Sequence, residues 1–229
     1  VLMFAIAQQI ASVRTQIRQA EIDFERLPGS VRLLAVSKTK PTSDIILAYL
    51  SGQRHFAESY AQEARSKQQE LGAYNITWHF IGPIQSNKTK LIARHFAWVH
   101  SVDRFKIAQR LSEQRPANLP ALNICLQVNI SHESSKSGIA LNDLSELVDA
   151  VKALPSLRLR GVMAVPAPQS DFSLQREPYR LLYEAVSELK HPELDTFSFG
   201  MSNDLNAAIA EGSTMVRIGT SLFGTRQYI

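Results

Sequence analysis

The chain has 229 residues, 45% of them hydrophobic and 20% charged, with a formal net charge of +4. That is enough for one large core and ordinary for a globular protein; the cationic excess suits an anionic ligand, but Lys and Arg are dispersed, without the basic stripe and interleaved aromatics of a nucleic-acid binder. The single cysteine, Cys125, excludes an internal disulfide, and no apolar stretch is long enough to span a bilayer, so a reducing, cytoplasmic setting is expected.

The first residues are apolar but lack the basic flank and small-residue cleavage pattern of a signal peptide. Leu2, Ile6, Ile10, Val13, Ile17, Ala20 and Phe24 recur at steps of three and four, which predicts an amphipathic N-terminal helix. Pro28-Gly29 breaks that pattern. Residues 31–36 then open the first of eight β-type runs, the others being 54–57, 77–81, 98–101, 121–130, 157–165, 196–199 and 215–218. Helical patterns alternate with them at 43–50, 61–71, 88–95, 104–113, 141–154, 179–189 and 204–210, and a short tail follows that can supply a partial helix. Cys125 sits inside the apolar fifth run and reads as a packed, inert thiol. Alternating strands and helices imply a parallel sheet. Eight units, with no dinucleotide-type glycine turn after the first strand, favour an α/β (β/α)8 TIM barrel with an extra N-terminal helix, residues 1–229 forming one domain. An open doubly wound sheet is the alternative.

Chemistry in such a barrel sits on loops at the C-terminal ends of the strands. The first strand runs into Ser37-Lys38-Thr39-Lys40-Pro41, so Lys38 emerges at the barrel mouth. Partial loss of hydration there, aided by repulsion from Lys40, favours the neutral amine that Schiff-base chemistry needs; a plain solvated lysine is the bland alternative. The seventh strand ends in Gly200-Met201-Ser202-Asn203-Asp204, where Gly200 permits close backbone approach and Ser202 or Asn203 can cap the next helix, leaving N–H groups for an anion. The eighth ends in Arg217-Ile218-Gly219-Thr220-Ser221, a second glycine-hydroxyl turn where barrels often complete a phosphate site. Arg217 lies within an apolar strand, so it needs a partner: a barrel carboxylate, or a ligand acceptor such as a pyridine nitrogen.

Several motifs together resemble the pyridoxal phosphate homeostasis proteins, single-domain barrels related to the N-terminal domain of alanine racemase. They are Leu34-Ala35-Val36-Ser37-Lys38-Thr39-Lys40-Pro41, Trp78-His79-Phe80-Ile81-Gly82-Pro83-Ile84-Gln85-Ser86-Asn87-Lys88, Ser135-Lys136-Ser137-Gly138, Arg160-Gly161-Val162-Met163-Ala164 and the run 197–224. The resemblance covers nearly the whole chain. It implies pyridoxal 5′-phosphate (PLP) as cofactor, a Schiff base on Lys38, a phosphate held by Met201, Ser202, Gly219 and Thr220, and Arg217 facing the pyridine nitrogen. The chain departs from the family at the second strand end, where the usual Gly-Glu-Asn-Tyr is Ala57-Glu58-Ser59-Tyr60. His79 is open to two readings, one flanking the cofactor ring and one as a satisfied core histidine.

Two functions of different kind compete. One is a PLP-binding carrier acting in vitamin B6 balance, handing cofactor to PLP-dependent apoenzymes; the other is an amino-acid racemase. Racemisation needs a base on each face of the substrate carbon. Racemases of this kind bring the second base from a further C-terminal domain, and the chain ends at Ile229 directly after the eighth unit. An arginine on the pyridine nitrogen also leaves it unprotonated and weakens the ring as an electron sink. The carrier is therefore the expected function, as a monomer or weak dimer. A third class, a Schiff-base aldolase without PLP, would be colourless.

Overall fold

Eight parallel strands close on themselves in sequential order: β1 (Arg32–Val36), β2 (His55–Glu58), β3 (Thr77–Phe80), β4 (Trp98–Val102), β5 (Leu122–Gln127), β6 (Leu157–Ala164), β7 (Thr196–Phe199) and β8 (Met215–Ile218), which pairs back onto β1. The computed structural model describes residues 2–225; Val1, residues 226–229 and the side chain of Leu2 from the predicted apolar stripe lie outside the described residues. Leu34, Ala57, Trp98, Cys125, Met163 and Met215, from six different strands, meet in one buried cluster. Side chains from so many strands can touch only inside the barrel, because successive residues of a strand point to opposite faces. The outward positions pack against the helices in two larger clusters.

The helices are α1 (Leu2–Asp23), α2 (Thr42–Leu50), α3 (Ala61–Glu70), α4 (Thr89–His95), α5 (Phe105–Gln114), α6 (Leu144–Lys152), α7 (Phe172–Glu188), α8 (Leu205–Ala210) and α9 (Thr220–Phe223). The last of these is barely one turn. The N-terminal helix makes up the deficit: its buried stripe of Ile6, Ile10, Val13, Ile17 and Ala20 packs with Val31, Leu33, Val216 and Ile218 on the outer face of β1 and β8. Each fully buried isoleucine contributes about 1.5–3 kcal/mol of transfer free energy. No helix among the described residues is long and apolar enough to cross a membrane.

Two elements differ from the sequence expectation for identifiable reasons. The fifth strand stops at Gln127 rather than residue 130, because the Asn129 amide donates to Glu133 O at 2.7 Å and accepts from Glu133 N at 3.2 Å, folding the chain out of the sheet. The seventh helix begins at Phe172, not 179. Asp171 accepts from Leu174 N at 3.0 Å and caps it, and Pro178, which reads as a breaker, is accommodated inside the helix.

Candidate functional site

Lys38 leaves β1 at the mouth, half-buried, and the backbone on either side of it is held from α3. Ser37 extends the pairing with β2, donating to Ala57 O at 3.0 Å. Lys67 lies on the buried face of α3 and donates from Nζ to Ser37 O at 2.7 Å, while also sitting 2.6 Å from Glu58 Oε1 and 2.7 Å from Glu63 Oε1. Glu63 Oε1 in turn accepts from Thr39 N at 2.6 Å, and Thr39 has φ +64°, a left-handed conformation uncommon outside glycine. The residues before and after Lys38 are thus fixed by one charged cluster. Burial pushes the Glu58 carboxyl up to about 7, with Lys67 pulling against it. Lys40 is committed elsewhere: its Nζ donates to the carbonyls of Phe223, Gly224 and Thr225 at 3.2, 3.1 and 3.1 Å, tying the first loop to the end of α9.

Arg217 projects into the barrel, 4% exposed. Of the two partners open to it, a barrel carboxylate is absent among the described residues. Instead Nη1 donates to Ser198 O at 2.5 Å and Ser198 Oγ at 2.7 Å, and Nη2 to Ala164 O at 3.0 Å. Burial holds its pKa below the usual arginine value, partly offset by Tyr179 and Asp204. These three bonds leave part of the five-donor guanidinium fork for a ligand acceptor. His79 is fully buried and bonded on both ring nitrogens, to His55 and His100, which settles it as a satisfied core histidine. Cys125 is buried and its thiol pushed up to about 12 by desolvation, as an inert core thiol should be.

The loops after β7 and β8 touch through Ser221 Oγ, which donates to Ser202 Oγ at 2.9 Å. Gly200 has φ +101°, and a Cβ there would meet Ala208 Cβ at 2.6 Å, so only glycine allows this turn to fold onto α8. Neither Ser202 nor Asn203 caps α8. Asp204 occupies the cap position and turns its carboxylate back, accepting from Met201 N at 2.8 Å and from Tyr179 Oη at 2.6 Å. The Met201 amide is therefore engaged, whereas the backbone N–H groups of Ser202, Asn203 and Gly219 make no hydrogen bond among the described residues. Ser202 and Thr220 are exposed beside them. Gly219 lies against Val36: a Cβ built on it would be 3.4 Å from Val36 Cβ, so this cradle adjoins the strand that carries Lys38. Such unpaired N–H groups and hydroxyls can hold an anion. The cluster around Lys67, and His55 and His100 on either side of His79, escaped the sequence reading. One signal was present, since Ala61, Ala64 and Lys67 share a helix face and place a lysine on an apolar stripe.

Fold and site together define a barrel of the alanine racemase N-terminal domain kind, and the sequence profile of that domain matches residues 10–227. The chain is 58% identical over 226 residues to the pyridoxal phosphate homeostasis protein of Pseudomonas aeruginosa, covering 99% of this chain and 98% of the relative. It is 54% identical over 228 residues to that of Escherichia coli K12, covering 97% of each. The chain belongs to the pyridoxal phosphate homeostasis protein family. Among solved structures, PipY of Synechococcus elongatus without PLP superposes with a TM-score of 0.85 at 37% identity, and PipY with PLP bound with 0.84 at 36%; both cover 96% of this chain and 100% of theirs. Alanine racemase of Corynebacterium glutamicum, at 16% identity and TM-score 0.68, shares the fold over 96% of this chain and 60% of its own.

Proposed function

We propose that this protein binds PLP as a Schiff base on Lys38 and holds it for transfer, serving vitamin B6 balance and thereby amino-acid and keto-acid levels, without substantial turnover. The observation that carries this is placement: Lys38, Arg217 and the open amides of Ser202, Asn203 and Gly219 leave three adjacent strands, β1, β8 and β7, at one end of the barrel. Relatives named for PLP homeostasis, and PipY with PLP bound, support the choice of ligand.

When bound, PLP supplies an aldehyde for an amine and an electron-withdrawing ring. The residues present fit such a group. Lys38 is the amine, its backbone held by Lys67 and Glu63. Ser202 and Thr220 offer hydroxyls and Ser202 and Gly219 backbone N–H groups to the phosphate, with the exposed Met201 side chain beside them. Arg217 would donate to the ring nitrogen and keep its own proton, so that nitrogen would gain a hydrogen bond and no charge. Removing a proton from a bound amino acid is then poorly supported, which favours holding over racemisation. We place the protein in the cytoplasm as a monomer or weak dimer, residues 1–229 acting as one domain, with PLP-dependent apoenzymes as recipients.

The purified protein should be yellow, and borohydride should fix the chromophore to a peptide containing Lys38. Lys38→Ala should be colourless, and incubation with alanine should give no appreciable racemisation. Label on another lysine sinks the site; turnover at enzymatic rates sinks the carrier.

A further inference from the structure

A buried guanidinium without a carboxylate is expensive to desolvate, yet Arg217 has none among the described residues. The nearby carboxylate of Asp204 spends both oxygens on Met201 N and Tyr179 Oη. Behind Arg217 stands a continuous polar chain. Ser198 Oγ is 2.8 Å from His100 Nδ1, His100 Nε2 is 2.9 Å from His79 Nδ1, and His79 Nε2 is 2.9 Å from His55 Nδ1. It crosses the interior from β8 and β7 through β4 and β3 to the start of β2.

The direction of the bonds in that chain turns on where the Ser198 hydroxyl places its hydrogen. Arginine has no acceptor, so Arg217 donates to Ser198 Oγ, and the only acceptor that the buried Ser198 hydrogen meets among the described residues is His100 Nδ1. His100 must then donate from Nε2 to His79 Nδ1, and His79 from Nε2 to His55 Nδ1. All three rings become neutral Nε2–H tautomers with their lone-pair ends turned towards Arg217. Trp98 stacks on His79 at 5.5 Å and 15°, holding its plane. Burial opposes protonation of all three rings, and Arg217 adds to this at His100 and Arg32 at His55 and, more weakly, at His79. The chain is not a proton conduit, since it ends on a group that does not surrender its proton.

We propose that His55, His79, His100 and Ser198 form a neutral counter-dipole that positions Arg217, stabilising its charge without a carboxylate and aiming its remaining N–H groups at the ring acceptor of the ligand. This rests on Arg217 facing the ring of PLP held at Lys38. A carboxylate in the same place would neutralise the guanidinium and bring a proton acceptor near the ring; aligned imidazoles supply negative potential with no net charge. His79 and His100 are positioning residues, acting through Ser198 and Arg217.

The test has two arms. Nitrogen NMR of the full-length protein labelled on its histidine rings should show three non-titrating Nε2–H tautomers between pH 5.5 and 8, before any cofactor is considered. An Nδ1–H form or a charged ring among them overturns the counter-dipole. In PLP-loaded protein, His100→Leu should shift the absorption maximum and weaken PLP about tenfold, the effect of losing one hydrogen bond in a charged network. His100→Asn, whose amide oxygen can accept from Ser198, should restore the spectrum and most of the affinity. A wild-type spectrum and affinity in His100→Leu overturns the proposal. Should His100→Leu fail to fold by circular dichroism, Ser198→Ala breaks the same link with less lost volume and is judged by the same readouts. Borohydride labelling of wild type separates the two claims: no label on Lys38 refutes the binding site, while a labelled Lys38 with an unchanged His100→Leu spectrum refutes only the positioning role.

Discussion

Acid should weaken this protein through its interior, and His100→Asn should remove part of that sensitivity. His100 is fully buried, and desolvation with the adjacent Arg217 lowers its pKa from 6.5 to about 3. The folded protein therefore leaves His100 unprotonated at pH 5, whereas the unfolded chain protonates it below its ordinary pKa. A depressed folded pKa means the unfolded state binds more protons across this window, so stability is lost as pH falls from 6.5 towards 3. At pH 5 the difference of about 1.5 pH units is worth about 2 kcal/mol from this ring alone. Glu58 works in the opposite direction, because its raised folded pKa of about 7 means it takes up a proton on folding in the same range, but it is common to both proteins. Urea unfolding at pH 7.5 and pH 5 isolates the histidine. His100→Asn should be the less stable protein at pH 7.5 and lose about 2 kcal/mol less than wild type on moving to pH 5. Parallel losses in the two proteins would refute a neutral His100.

Lys67→Met should cost about 3–5 kcal/mol, because it strands the Glu58 carboxylate beside Ser37; adding Glu58→Leu should recover most of it in urea unfolding while leaving PLP retention impaired, since Ser37 O stays unheld. Gly200→Ala should lower stability by about 1–3 kcal/mol and loosen PLP, as the φ of +101° and the 2.6 Å approach to Ala208 both oppose a methyl group; a melting temperature at wild type would contradict this. Ser202→Ala combined with Thr220→Ala should weaken PLP more than pyridoxal in equilibrium dialysis, and equal losses would remove those loops from the phosphate site. Ile10→Ala should destabilise by about 2–5 kcal/mol without altering the spectrum of bound PLP, because α1 covers the outside of the barrel; a spectral change would link that helix to the site.

Much of this was readable in advance because barrels tie position to strand order. Lys38, Gly219 and Thr220 fall at strand ends, and β1 pairing with β8 makes their loops neighbours. Local exceptions were not readable. Asn129 belongs to an apolar run until its amide is seen closing a turn on Glu133, and Pro178 reads as a break until Asp171 is seen capping the helix before it. The counter-dipole was hidden for a different reason. His79, His100, Ser198 and Arg217 are each the third residue of β3, β4, β7 and β8, and nothing within any one of these strands links its polar residue to the others. Only the closed arrangement brings them to one level, and pattern reading along a single strand carries no information across the barrel.

The interior is divided by chemistry as well as by strand. Strands β7, β8 and β1 present every group assigned to the ligand, while β2, β3 and β4 contribute the imidazoles behind Arg217, and β5 and β6 face inwards with Cys125 and Met163. A cofactor held by three contiguous strands meets donors on one side of the mouth only. The clamp around Lys38 acts through the backbone of Ser37 and Thr39, and the imidazoles act on Arg217 through Ser198. Under the proposed binding, strength of holding and ease of release would be set by different residues, the supports fixing orientation and the exposed loops at Ser202 and Thr220 governing exit. Substitutions in the supports should therefore change the cofactor's spectrum, whereas substitutions in the loops should change its dissociation rate with the spectrum preserved.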